Sequence, residues 1–304
     1  MPLPKISKEL SIKTIHKWLR VFILYSKVAR AQVLFMPALL ISCAYVYAQY
    51  HYNIIERISF IFVSISILCF NLSVNTISEY RDCQKGIDDV HSSDTKYRLV
   101  SGIVPQKNVL NIGIVAFGIA TISGIIALLL KPFSLLFPGL LGASIAFFYS
   151  EQPLGLKYKA YGEICVFIVY GFLIIFSCIL SLTHTLHFKD VVFSLPFGLL
   201  TTNVVLANNI RDYEFELGKT TTLVTKFGLK FAYSLLFIIT HLAYLFVPIL
   251  IYCNILPKTA YITLLSYFLI LSIIYKINSH KFINIFGIMQ VLFCILTIAS
   301  LLIH

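Results

Sequence analysis

Apolar stretches of about 20 residues follow one another from residue 31 to residue 303, long enough to cross a bilayer as helices. A backbone in lipid must satisfy its own hydrogen bonds, so runs of this length leave the helix as the conformation to expect. Nine spans are expected, at about 31–49, 56–77, 109–130, 132–150, 163–183, 190–208, 229–252, 259–276 and 282–303. The break between the third and fourth rests on Lys131-Pro132, because proline suits the first turn of a new helix. Apolar residues run around the helices rather than along one stripe, as lipid contact requires. Only 12% of residues are charged, about half the fraction of a soluble domain. The expected fold is therefore all-α: a polytopic membrane protein whose nine helices form a bundle, spanning residues 31–304.

Residues 1–30 form a separate basic segment. Leu10, Ile12, Ile15, Trp18, Leu19 and Phe22 interleave there with Lys8, Lys13, Lys17 and Arg20, a pattern expected of an amphipathic helix lying on the membrane. The segment has no uninterrupted apolar core of the kind a cleavable signal carries. The seven cysteines are scattered singly and read as small packing residues, with neither a disulfide framework nor a zinc site indicated.

Charge sets the orientation. Of the 24 Lys and Arg, only Arg57, Lys131, Lys189 and Lys258 fall on one side of the nine-span arrangement. The other side holds the rest and so is the cytoplasmic one, with the N-terminus on it and the C-terminus opposite. The multi-pass chain then belongs in a bacterial cytoplasmic membrane or an organellar inner membrane. No nucleic-acid partner is indicated. The net charge of +11 gathers on the cytoplasmic face, in part as topology signal and in part available to an anionic ligand.

Carboxylates are scarce and clustered. Of the 13 Asp and Glu, Glu79, Asp82, Asp88, Asp89 and Asp94 lie at or just after the end of the second span. Asp212, Glu214 and Glu216 lie just after the sixth. Acidic groups are expensive beside lipid, so this placement needs a reason. Asn75, Glu79 and Asp82 share one face of a continued helix, and Asp88 follows Gly86, where the helix is expected to end. Asn208, Asp212 and Glu216 repeat the arrangement four residues apart. The two carrier helices have the same orientation, so both clusters can face one cavity. Oxygen ligands at helix ends near water suit Mg²⁺ holding a phosphorylated substrate. Two such sites around one diphosphate suit metal-assisted ionisation. The plainer alternative is solvated loop charges paired with Arg81, Lys85 and Arg211.

Four ordered motifs resemble the UbiA superfamily of membrane prenyltransferases, and most closely its 1,4-dihydroxy-2-naphthoate prenyltransferase branch. Ser78-Glu79-Tyr80-Arg81-Asp82, continuing to Gly86 and Asp88, is similar in spacing to that branch's Asn-Asp-Tyr-x-Asp-x-x-x-Gly-x-Asp. Arg98 through Ser101-Gly102 to Pro105 follows it. Pro153-Leu154, with Lys157-Tyr158-Lys159 and Gly162-Glu163, is similar to Pro-Leu-x-Leu-x-Tyr-Arg-Gly-Leu-Gly-Glu. Asn208-Asn209-Ile210-Arg211-Asp212, followed by Gly218-Lys219, is similar to the second acidic motif. Three departures stand out. Ser78 replaces Asn, Glu79 replaces Asp, and the segment between Asp212 and Gly218 is two residues shorter, with Glu216 where Asp is expected.

The resemblance implies a helical bundle around a lipid-facing cavity. A polyprenyl diphosphate binds there through Mg²⁺ and basic residues, and an electron-rich aromatic acceptor captures the allylic cation. Glu79, Asp82 and Asp88 would hold one metal; Asn209, Asp212 and Glu216 the other. Arg98, Lys159 and Lys219 would grip diphosphate oxygens, with Arg211 and Asn75 completing the contacts. Asp82, Asp212, Arg98 and Lys159 are the expected catalytic set. Among the aromatics, Phe147, Phe148, Tyr149, Phe167, Tyr170 and Phe197 could line an isoprenoid tunnel or simply pack. His241 reads as a hydrogen-bonded packing residue, and Asn203 as either cavity-facing or bonded to a neighbouring helix.

The leading expectation is Mg²⁺-dependent transfer of a prenyl group to a quinone precursor such as 1,4-dihydroxy-2-naphthoate. Two alternatives are the same diphosphate chemistry with another acceptor or ending in terpene cyclisation, and a cation-coupled transporter. Transport sites usually lie near the bilayer midplane, whereas these acids sit at one face.

Overall fold

The computed structural model describes residues 34–52, 54, 57–87, 99–130, 135–183, 185–268 and 282–303. The basic N-terminal segment, Asp88, Arg98 and the Lys131-Pro132 break lie outside the described residues. The secondary structure within them is helical, apart from one isolated parallel bridge between Lys159 and Thr221. The main helices are α1 (Phe35–His51), α2 (Ile58–Gln84), α3 (Gln106–Leu130), α4 (Leu136–Phe148), α5 (Gly162–Thr183), α6 (Phe188–Arg211), α7 (Leu229–Tyr252) and α8 (Phe282–Leu302).

Six of these, α2, α3, α5, α6, α7 and α8, are long and apolar enough to cross a membrane. The other three expected spans fall short of that length among the described residues. Helix α1 has 17 described residues and α4 only 13. The span expected at 259–276 begins as a 3₁₀ turn, Lys258–Thr263, and continues outside the described residues beyond 268. Helix α4 is shorter than the expected 132–150 because the chain leaves it at Phe148 and turns into a loop over one end of the bundle. That loop contains left-handed Gly155 and a 3₁₀ turn at Leu156–Tyr158.

Small residues decide which helices approach closely, since lipid tails supply no hydrophobic drive between apolar helices. Gly113, Ala116, Ala120, Ser123 and Ala127 make the buried stripe of α3. Helix α2 packs into that stripe, and Ser66 Oγ donates to Ala120 O at 2.8 Å. Helices α5 and α6 cross at Gly171 and Gly198. A Cβ on Gly198 would meet Gly171 N at 2.8 Å, closer than real Cβ contacts allow. Gly171 sits in a π-helical turn, Val169–Leu173, of a kind often found near functional sites.

Helix α6 is central. Its Phe193 stacks on Tyr47 of α1 at 3.9 Å, and Phe197 meets Phe293 of α8 at 5.4 Å. Phe293 in turn meets Tyr244 of α7 at 5.6 Å. Asn203 donates to Thr240 Oγ1 of α7 at 2.7 Å, so it joins helices rather than facing the cavity. His241 bonds Phe237 O and Tyr267 OH, both at 2.7 Å, in the packing role expected of it. The seven cysteines are free thiols. At the end of α6 opposite the acidic clusters, fully buried Asp190 accepts from Tyr47 OH, Tyr52 OH and the His187 backbone N–H at 2.9, 2.7 and 2.8 Å.

The α5–α6 crossing generates a stability prediction. Gly198→Leu should cost about 1–3 kcal/mol or more through overpacking. Gly118→Leu, at a glycine whose Cβ would meet open space, should leave stability near the parent value. Thermal unfolding of the two purified variants in one detergent checks the contrast.

Candidate active site

Helices α2 and α6 each end in a polar ladder because their last turns leave the apolar run. Both ladders line one cavity of about 850 Å³. From α2 come Asn71, Asn75, Ser78, Glu79 and Asp82. From α6 and the short helix Tyr213–Glu216 come Asn208, Asn209, Arg211, Asp212 and Glu216. The same cavity reaches Val63 on α2. Nineteen residues separate Val63 from Asp82, about 28 Å along the helix. Its deeper wall is apolar, with Ile67, Phe70, Leu128 and Ile174 among its side chains.

Glu79, Asp82 and Glu216 are only 4%, 3% and 8% exposed, which excludes the reading of these three as solvated loop charges. Asp82 is held from the loop 149–161. Lys157 Nζ lies 2.5 Å from its Oδ2 and 2.8 Å from Ser78 Oγ, and Tyr158 OH donates to its Oδ1 at 2.8 Å. Ser78, a departure from the family pattern, thus has a partner of its own. Burial and the Asp82 charge push the Tyr158 phenol well above the usual range. Lys85 stands 3.3 Å from the centre of the Tyr158 ring, and burial lowers its ammonium from the usual lysine range. Arg81 turns away from the cavity to a two-bond ion pair with Glu151, each bond 2.6 Å.

The second cluster is built similarly. Arg211 grips Asp212 with two bonds of 2.6 and 2.8 Å. Asn209 Nδ2 donates to Glu163 Oε1 at 2.8 Å. The loop also reaches this side, since Ala160 N donates to Thr221 O at 2.9 Å. One segment therefore bonds Asp82 of the first patch and the stretch that follows the second.

Of the expected site residues, Asn75, Glu79, Asp82, Asn209, Arg211, Asp212 and Glu216 come together around the cavity. Lys159 and Lys219 do not line it. Lys159 is exposed and bonds Pro153 O at 3.2 Å; Lys219 is exposed and bonds Ile87 O at 3.3 Å. Lys157 occupies the place expected of Lys159, because the 3₁₀ turn after Gly155 aims it inward. Glu163 does not line the cavity but bonds Asn209, which does, and the motifs did not single it out for a role. A lone acid one residue inside an apolar helix is a signal that could have found it. Of the expected tunnel aromatics only Tyr149 and Tyr170 line the cavity, joined by Phe70. Asn71 donates to the Tyr170 hydroxyl.

Among the described residues, no three His, Cys, Asp or Glu side chains converge to hold a metal on their own. Mg²⁺ does not require that, since it takes one or two carboxylates and completes its shell with waters and phosphate oxygens. The carboxylate and amide oxygens of Asn75, Glu79, Asp82, Asn208, Asn209, Asp212 and Glu216 are a hard-oxygen donor set that fits it.

Known proteins are similar to this chain in sequence and in fold. The chain is 27% identical over 214 residues to a 1,4-dihydroxy-2-naphthoate octaprenyltransferase of Bacillus subtilis, covering 70% of this chain and 68% of that one. It is 28% identical over 196 residues to UbiA prenyltransferase domain-containing protein 1 of Gallus gallus, covering 62% of this chain and 56% of that one. The fold is similar to that of a UbiA homolog from Archaeoglobus fulgidus bound to GPP and Mg²⁺, with a TM-score of 0.63 over 91% of this chain and 99% of that one. At 16% identity that likeness speaks for the fold alone. The model of the UbiA prenyltransferase family matches residues 34–285, and the chain belongs to that family.

Proposed function

We propose that this chain transfers a prenyl group from a polyprenyl diphosphate to an aromatic acceptor such as 1,4-dihydroxy-2-naphthoate. The observation that carries the reading is one cavity with two acidic patches and two cations at one end and an apolar wall beyond. The diphosphate belongs at the acidic end and the isoprenoid tail along Val63, Ile67, Phe70, Leu128 and Ile174.

Glu79, Asp82 and Asp88 would hold Mg²⁺ on one side, and Asn209, Asp212 and Glu216 on the other. Bound there, it would neutralise charge building on the departing diphosphate. Lys157 and Arg211, seated on Asp82 and Asp212, are cationic donors placed to move onto phosphate oxygens. Phe70, Tyr149 and Tyr170 line the cavity, where aromatic rings would stabilise an allylic cation. The loop 149–161 contributes Tyr149 and Lys157 to this end of the cavity. The acceptor ring attacks the allylic carbon as the carbon–oxygen bond to diphosphate breaks, and the ring proton then passes to an oxygen of the released diphosphate. On this reading all nine expected spans cross the membrane, with the N-terminus and the acidic end cytoplasmic. Arg81, Lys85, Lys107, Arg211, Lys226 and Lys230 support it by gathering towards that end.

Purified protein with Mg²⁺, a radiolabelled allylic diphosphate and 1,4-dihydroxy-2-naphthoate should form an organic-extractable product that EDTA abolishes. Asp82→Asn should lower kcat by about 10²–10³, the range for losing one preorganised electrostatic group. Diphosphate release without any acceptor would favour cyclisation. Neither turnover nor binding of the diphosphate would remove both enzyme readings.

A second prediction separates the two loop lysines. Lys157→Met should reduce kcat/KM for the prenyl diphosphate at least about tenfold more than Lys159→Met, since losing a buried charge-assisted bond costs more than losing an exposed one. Steady-state kinetics on the two variants decide it, and an equal loss would return Lys159 to the site.

A further inference from the structure

Glu163 is 4% exposed, sits in the first turn of α5, and has no place in the transfer chemistry above. Its Oε1 accepts from Asn209 Nδ2 at 2.8 Å. Asn209 itself lines the cavity. A side-chain amide is planar, and its nitrogen and oxygen point apart. An amide whose nitrogen is fixed therefore has its oxygen fixed too. An ionised carboxylate only accepts, so it selects one of the two amide orientations; a glutamine in its place could accept from or donate to either.

We propose that Glu163 is a positioning residue that turns the Asn209 carbonyl oxygen toward the diphosphate–metal end of the cavity. The inference rests on the functional reading above, in which Asn209 is a metal ligand. In metal sites generally, a ligand is aimed by the group it bonds on its far side, and losing that group weakens the metal about 10–100-fold. Glu163 acts this way from a different helix, α5, on a ligand carried by α6. The α5–α6 crossing at Gly171 and Gly198 keeps those helices close enough for the bond.

The test uses the full chain in detergent, with Mn²⁺ binding followed by electron paramagnetic resonance in the presence of a non-reactive prenyl thiodiphosphate. Glu163→Gln frees the Asn209 amide to flip and should weaken Mn²⁺ about tenfold or more. The Mg²⁺ concentration for half-activation should rise by a similar factor, with kcat at saturating Mg²⁺ close to the parent value. Adding Asn209→Asp to Glu163→Gln supplies an oxygen in both orientations, one for the introduced amide donor and one for the metal. That double variant should recover most of the affinity. Unchanged Mn²⁺ affinity in Glu163→Gln, or no recovery in the double variant, overturns the proposal. If Glu163→Gln does not fold, the double variant decides alone: near-parent affinity is expected, and its loss overturns the assignment. Asp82→Asn is the reference. If it too binds Mn²⁺ like the parent, the metal reading of the whole site falls and the role of Glu163 falls with it. If Asp82→Asn loses Mn²⁺ while Glu163→Gln does not, only the positioning role is removed.

Discussion

The cost of holding a carboxylate away from water shapes this bundle more than any other interaction. Each buried or half-buried acid whose bonds are described above is met by a partner from another segment or from the adjoining turn. Asp82 is met by Lys157 and Tyr158, Asp212 by Arg211, Glu163 by Asn209, and Asp190 by two tyrosines and a backbone N–H. Several of these bonds cross between helices far apart in sequence. Tyr47 and Asp190 are 143 residues apart, Lys157 and Asp82 are 75, and Asn209 and Glu163 are 46. Compensation of charge and attachment of helix to helix are thus one set of contacts. Removing one partner would leave a buried charge behind as well as loosen a joint.

Packing supplies what charge does not. Where small residues line a seam, helices close on each other: α2 on the Gly113–Ala127 stripe of α3, and α5 on α6 at Gly171 and Gly198. Elsewhere they stand apart. Gly139, Gly142 and Ala143 of α4 line the cavity without filling it, and the apolar faces of α2 and α5 bound it as well. The bundle is therefore tight along some pairs and open between others. The opening runs from the polar helix ends toward the apolar interior, the shape an amphiphile with an anionic head and a long tail requires.

How much of this was legible in the sequence depended on what kind of signal carried it. The helices of the bundle and the two acidic ladders were legible, because length, hydropathy and four-residue spacing are local properties of the chain. The junction of both ladders at one cavity followed from helix parity. The choice between Lys157 and Lys159 was not legible. It depends on a left-handed residue at Gly155 and the 3₁₀ turn after it, which reverse which lysine faces inward. Arg81 was expected beside its own cluster, but it turns to Glu151 in the loop that follows α4. Glu163 carried no role in its motif, because its partner Asn209 lies 46 residues away on α6. The expectations that failed share a cause: each concerned a side chain whose direction is set by a tertiary contact, not by the period of its own helix.

The sign of the charge at the cavity mouth bears on the proposed reaction. Among the described residues, Glu79, Asp82, Asp212 and Glu216 line that end with Lys157 and Arg211, so acids outnumber bases in this set. A bare diphosphate approaching this end would meet repulsion that the two cations offset only in part, and both are already bound to carboxylates. Lys157 and Arg211 would be freed for phosphate oxygens where a bound divalent cation neutralised the acids. On the proposed reading, then, the site favours the diphosphate in the company of metal over the diphosphate alone. The loop 149–161 bonds Asp82 through Lys157 and Tyr158, and Thr221 through Ala160. On that reading, a change of partner at Lys157 would act on a segment bonded both to Asp82 and to the stretch that follows the second acidic cluster.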